Sequence, residues 1–137
     1  MSRGIGAHAN KVAEDENTVI YEYGSYNWND PKYRNEDHLY DGTISILRDC
    51  FAEPEIYEKV KKMPSWRKRL IVKRIPVDVE YGKMLEDGRI VVENCSNCWQ
   101  TTANDLQVDI MACHLLFYIF LRYQEEGKVP ESISYNA

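Results

Sequence analysis

Apolar and polar positions first alternate cleanly from Thr18 to Tyr23, where Val19, Tyr21 and Tyr23 fall on one face of an extended segment. Residues 1–16 show no comparable periodicity, and the spacing predicts a flexible arm followed by a single domain over 17–137. Ile44 and Ile46, alternating with Thr43 and Ser45, predict a second strand. Pro54 stands where a short helix would begin, with Ile56, Val60 and Met63 on one stripe and Pro64 ending it. Leu70–Ile75 predicts a third strand. Val77–Leu85 is open: Val77, Tyr81, Met84 and Leu85 fit a short helix capped by Asp78, and Gly82 weakens it. Asp87-Gly88 turns the chain into a fourth strand, Arg89–Asn94.

The last element is the largest. A helix is expected from about Asp105 to Glu126, with Asn104 and Gln107 at capping-box spacing and Gly127 and Pro130 supplying the stop. Its stripe Leu106, Ile110, Cys113, Phe117 and Phe120 reads as core. Gln107, His114, Tyr118, Arg122 and Glu125 form its one polar seam. The pattern as a whole predicts an α+β fold of order ββαββα, a single antiparallel or mixed sheet of about four strands against the long C-terminal helix.

Composition changes this picture in three places. At 137 residues and 44% hydrophobic content the chain can bury a core without metals or disulfides. The apolar run Ile110–Leu121 falls short of the roughly 20 residues a membrane span needs, and the start of the chain carries no apolar signal segment. With four cysteines in a chain of this size, free thiols in a reducing cytoplasm are expected.

Charge is uneven. The net charge is −5, yet Lys59–Arg74 holds eight of the seventeen basic residues and no acid. Arg67, Lys68, Arg69, Lys73 and Arg74, with Trp66 among them, form a candidate nucleic-acid grip. No recognised nucleic-acid motif accompanies them, and lysines also protect an edge strand from pairing with another chain.

Side chains able to do chemistry concentrate at Cys95-Ser96-Asn97-Cys98. Such a pair can hold zinc, exchange disulfides or fill space. Cys113 and His114 are the nearest further ligands, but neighbours on a helix point about 100° apart. Cys95, Cys98 and His114 are therefore candidate ligands for a metal that is not favoured. No cofactor is expected, and no phosphate loop, nucleophile elbow or His-Glu-x-x-His is present. A small enzyme with a pocket lined by His114 and Tyr118 remains an alternative.

The favoured reading is a small cytoplasmic, non-catalytic interaction module. Its expected contact surface is the loop Tyr23–Tyr40, carrying Tyr26, Trp28, Tyr33 and Tyr40 among amides and charges, as interface hot spots do. The expected partner is another protein or a second copy of the chain, not a membrane.

Overall fold

The computed structural model describes residues 4–62, 68–103 and 105–136. Its centre is a five-stranded antiparallel sheet built from β1 (Ile5–Glu14), β2 (Thr18–Asn27), β3 (Gly42–Leu47), β6 (Ile90–Glu93) and β7 (Ser132–Asn136). In space the strands run β6-β3-β2-β1-β7. A separate two-stranded ribbon, β4 (Glu55–Lys62) and β5 (Lys68–Ile75), leaves the sheet between β3 and β6. A short helix α1 (Tyr81–Glu86) precedes β6, and the long helix α2 (Ile110–Glu126) precedes β7. The fold is α+β with a long C-terminal helix, as the pattern predicts; the expected strand number and ββαββα order match only roughly.

Two differences are large. Residues 1–16, expected as a flexible arm, contain β1, which lies inside the sheet between β2 and β7. The strand buries Ala7 and Ala9 and turns His8 and Asn10 the other way. An alternation written with alanine carries little hydrophobic contrast, so it is faint in sequence although the pleat is regular. Its register with β2 shifts between Lys11 and Ala13, leaving Val12 exposed. The second difference is β4, where a helix was expected. Ile56 and Val60 lie four apart, which satisfies a helical stripe and an every-second-residue strand face alike. Pro54 comes just before the strand, a position it also tolerates.

Helix α2 begins at Ile110, later than the expected start near Asp105. Asp109 is the cap: its Oδ1 accepts from the Met111 amide at 2.9 Å. The helix ends at Gly127, whose φ of +76° is open to glycine at little cost and lets its amide reach the Tyr123 carbonyl at 2.8 Å. The core face comprises Met111, Ala112, Leu115, Leu116, Ile119 and Phe120, packed on Tyr21, Tyr23, Ile44 and Ile46 from the sheet. The expected core stripe is thus partly wrong. Phe117 is 50% exposed and Leu106, which lies before the helix, is 46% exposed. The helix is apolar on so many sides that periodicity alone does not choose the buried one.

The buried side chain of Gln124 fixes the chain leaving the ribbon. It accepts from the Val77 amide at 2.6 Å and donates to the Val77 carbonyl at 2.9 Å, like one more rung of a strand pair.

Candidate functional site

Because α2 covers one face of the sheet, the other face carries short and polar residues. Ser132 and Ser134 on β7 pair with Asn10 and His8 on β1, and His8 pairs in turn with Gly24 on β2. His8 Nδ1 lies 2.6 Å from Ser134 Oγ and Nε2 lies 2.9 Å from Asn10 Oδ1, so both ring nitrogens are occupied. Beyond Gly24 the strand continues through Tyr26 to Asn27, and the chain then folds back over this face.

The returning segment is well tied. Asn35, at a φ of +54°, donates from Nδ2 to the Ser25 and Leu39 carbonyls, and its Oδ1 accepts from the Leu39 amide. Asn97 donates to the Ser25 and Tyr33 carbonyls and fastens the same segment from the far side. Gly24 lets this happen: a Cβ there would come within 2.1 Å of the Leu39 carbonyl oxygen. His38 is held at a φ of +53°, which is uncommon for a residue with a side chain.

Between this segment and the sheet lies a cleft of about 320 Å³, lined by His8, Gly24, Tyr26, Trp28, Arg34, Asn35, His38 and Tyr40. The Trp28 ring is half exposed and stands 6.1 Å from that of Tyr26, and the Tyr40 ring is 5.6 Å from that of His8. Tyr26, Trp28 and Tyr40, three of the four candidate aromatic residues of the loop, therefore share one concavity. Tyr33 does not line it; its ring sits under the Lys32 ammonium, 5.3 Å away. Arg34, His38 and His8 also line the cleft and are not among the binding residues expected from sequence. His8 arrives from a strand far off in sequence.

His114 and Tyr118 belong elsewhere. They lie on the helix side of the sheet, where the His114 ring stacks on Tyr135 at 4.2 Å and Tyr118 stands 5.9 Å from the same ring. An apolar cavity bordered by Tyr81, Leu106, Val108 and Cys113 adjoins His114, but Tyr118 does not line it.

The cysteine pair meets a buried acid. The Asp109 carboxylate, fully enclosed, accepts from the Tyr23 hydroxyl at 3.0 Å and lies 3.5 Å from Cys95 Sγ. The Tyr23 hydroxyl in turn accepts from the Cys95 amide. Burial pushes the Asp109 carboxyl above the ordinary aspartate value, against the pull of its hydrogen bonds. Burial, and then the Asp109 charge, push the Cys98 thiol up to about 12, and burial raises Cys95 as well. Thiols held in the neutral form are poor nucleophiles and poor metal ligands. Among the described residues no three of His, Cys, Asp and Glu are grouped to hold a metal. The arrangement closes the start of α2 against the sheet.

Of the basic stretch, Arg67 lies outside the described residues, and Lys68 and Arg69 begin β5. Lys73 is exposed opposite Tyr57. Arg74 serves the fold: its guanidinium lies 3.4 Å from the Gln124 carbonyl and against Gly127, at the C-terminal end of α2 where a cation is favoured.

No helix among the described residues is long and apolar enough to cross a membrane. The fold and site together define an α+β protein with a helix on one face of its sheet and a polar-aromatic cleft on the other. No protein-family model, curated protein or solved structure matches the chain.

Proposed function

We propose that this protein is a non-catalytic recognition module of a reducing, cytoplasmic compartment, and that its binding site is the cleft on the open face of the sheet. One observation carries the reading: Tyr26, Trp28 and Tyr40 converge on a single concavity, with the Trp28 ring left half exposed. An indole at a cleft mouth exposes apolar area that water penalises and a partner would cover. The cleft is near the lower end of ligand-pocket sizes, roughly 300 Å³, and suits one protruding side chain or a small molecule rather than a broad flat partner. The segments around it are anchored by Asn35 and Asn97, so the site is formed in advance and little ordering entropy opposes binding.

The test is a small-fragment screen on the full chain read by amide chemical shifts. Hits should map to His8, Tyr26, Trp28 and Tyr40, and Trp28→Ala should remove them while leaving the melting temperature nearly unchanged. Hits confined to the Phe117 or Leu106 side of the molecule, or a Trp28→Ala protein that no longer folds, would overturn the reading.

A further inference from the structure

We propose that the cleft selects a planar ring bearing a single oxyanion, a carboxylate or a phosphate, with Arg34 as the group that receives the charge; this rests on the cleft being the binding site. The lining contains one arginine and two histidines and no carboxylate. Arg34 is half-buried, and it makes no ion pair with another described residue. Its Nε is enclosed and has no hydrogen-bond partner. The contrast with Arg89 is informative. That Nε is also unpartnered, but the guanidinium is anchored through Nη2 to Asp87 at 3.0 Å. Arg34 has no such anchor, although a partly desolvated guanidinium gains most from a planar oxyanion.

The other half of the selectivity comes from rings. Tyr26 and Trp28 stand tilted against each other at one side of the cleft, and Tyr40 borders it with His8. A flat group entering here meets aromatic faces, while its charged end meets Arg34. Gly24 sets the depth of the cleft by letting the Leu39 carbonyl and the Tyr40 ring pack directly on the strand, and His8 is held against β7 by its contact with Ser134. His8, with both ring nitrogens engaged, serves as a wall of the cleft. The chain as a whole is acidic, with a net charge of −5, although the lining carries Arg34 and no acid, so the surroundings work against non-specific capture of anions and the selectivity is local.

Benzoate, phenyl phosphate and the neutral isostere benzamide, titrated into the full-length protein by NMR or calorimetry, test this directly. Probes of about nine heavy atoms should bind in the micromolar to millimolar range. Benzoate or phenyl phosphate should bind at least about tenfold more tightly than benzamide, and which of the two is stronger identifies the oxyanion. Arg34→Gln should abolish that preference and leave benzamide binding where it was. Trp28→Ala should weaken all three probes alike. Equal affinity for benzamide and the two anions, or an Arg34→Gln protein that still discriminates, overturns the anion selectivity while the cleft reading stands. If no probe shifts the cleft amides up to about 10 mM, both readings fall. A melting curve for Arg34→Gln at or above the wild-type midpoint confirms that the variant reports on binding and not on unfolding.

Discussion

The Tyr23 hydroxyl donates to Asp109 Oδ2 at 3.0 Å, and this single contact joins the middle of the sheet to the first turn of the long helix. Both partners are buried, and the hydroxyl also accepts from the Cys95 amide. Tyr23→Phe removes an acceptor and a donor from a closed space at once. It should cost about 1–3 kcal/mol, measured as a loss of denaturant midpoint, because the groups left behind have no water to turn to. A change within experimental error would mean that the network is not a structural bond set.

Asp109 makes stability depend on pH. Its carboxyl is raised in the folded state, so the native protein keeps the proton over a range where the unfolded chain has already lost it. The contribution is fully present below the unfolded value and is lost as pH rises through the folded one. Stability should therefore fall from about pH 4 upward through this carboxyl's own range and then level off. Asp109→Asn keeps the capping oxygen for Met111 and should flatten that part of the profile. Identical pH profiles for the two proteins would contradict the assignment.

The faces of α2 give a sharper contrast. Leu116→Ala should cost about 2–5 kcal/mol, since it empties a packed site between helix and sheet. Phe117→Ala should cost less than about 1 kcal/mol, because the ring is half in water. Similar denaturant midpoints for the two variants would show that the helix is rotated from the orientation described.

These contrasts mark how far the sequence could be read. The long helix, the strands around Tyr21, Ile44 and Val92, and the α+β class were legible because their apolar residues are large and regularly spaced. The orientation of α2 was not, because Leu115, Leu116, Phe117 and Ile119 offer apolar neighbours on several sides and only the sheet decides among them. Strand β1 was hidden by its alanines. The aromatic half of the cleft was visible as a cluster in one loop. Its charged half was not: Arg34 and His38 look like ordinary loop residues until the loop folds back, and His8 reaches the cleft through pairing with a strand more than a dozen residues on. The cap at Asp109 competed with the better-known spacing of Asn104 and Gln107, and burial decided for Asp109.

Gly24 is a second point of leverage on the cleft. Gly24→Ala places a methyl group where the Leu39 carbonyl and the Tyr40 ring already stand. The returning segment must then move, at about 1–3 kcal/mol. The variant should stay folded by circular dichroism and lose fragment binding in the cleft. Full retention of binding would show that the segment can shift without altering the site.

The basic ribbon is expected to be a weak partner for nucleic acid. Outside Glu55–Ile75 the chain carries nine basic residues against twenty acids, which repel a phosphate backbone. At about 0.15 M salt, binding to a labelled duplex or single strand should be weaker than about 100 µM, and reversing Arg67, Arg69 and Lys73 to Glu should change little. Tighter binding, falling steeply with salt and lost in the reversed variant, would make the ribbon a nucleic-acid surface in its own right.

The pairing of β1 with β7 has a consequence for how the protein is made. Gly6 lies opposite Asn136, so β1 takes its second neighbour from residues translated some 125 positions later. At about 5–20 residues per second, β1 is synthesised roughly 6–25 s before β7. Throughout that interval the sheet has an open hydrogen-bonding edge along Gly6–Asn10, the kind of edge that recruits a neighbouring chain. Before β7 is made, β1 is the unprotected edge; once β7 pairs, β1 becomes an interior strand and the short β7 takes the edge position.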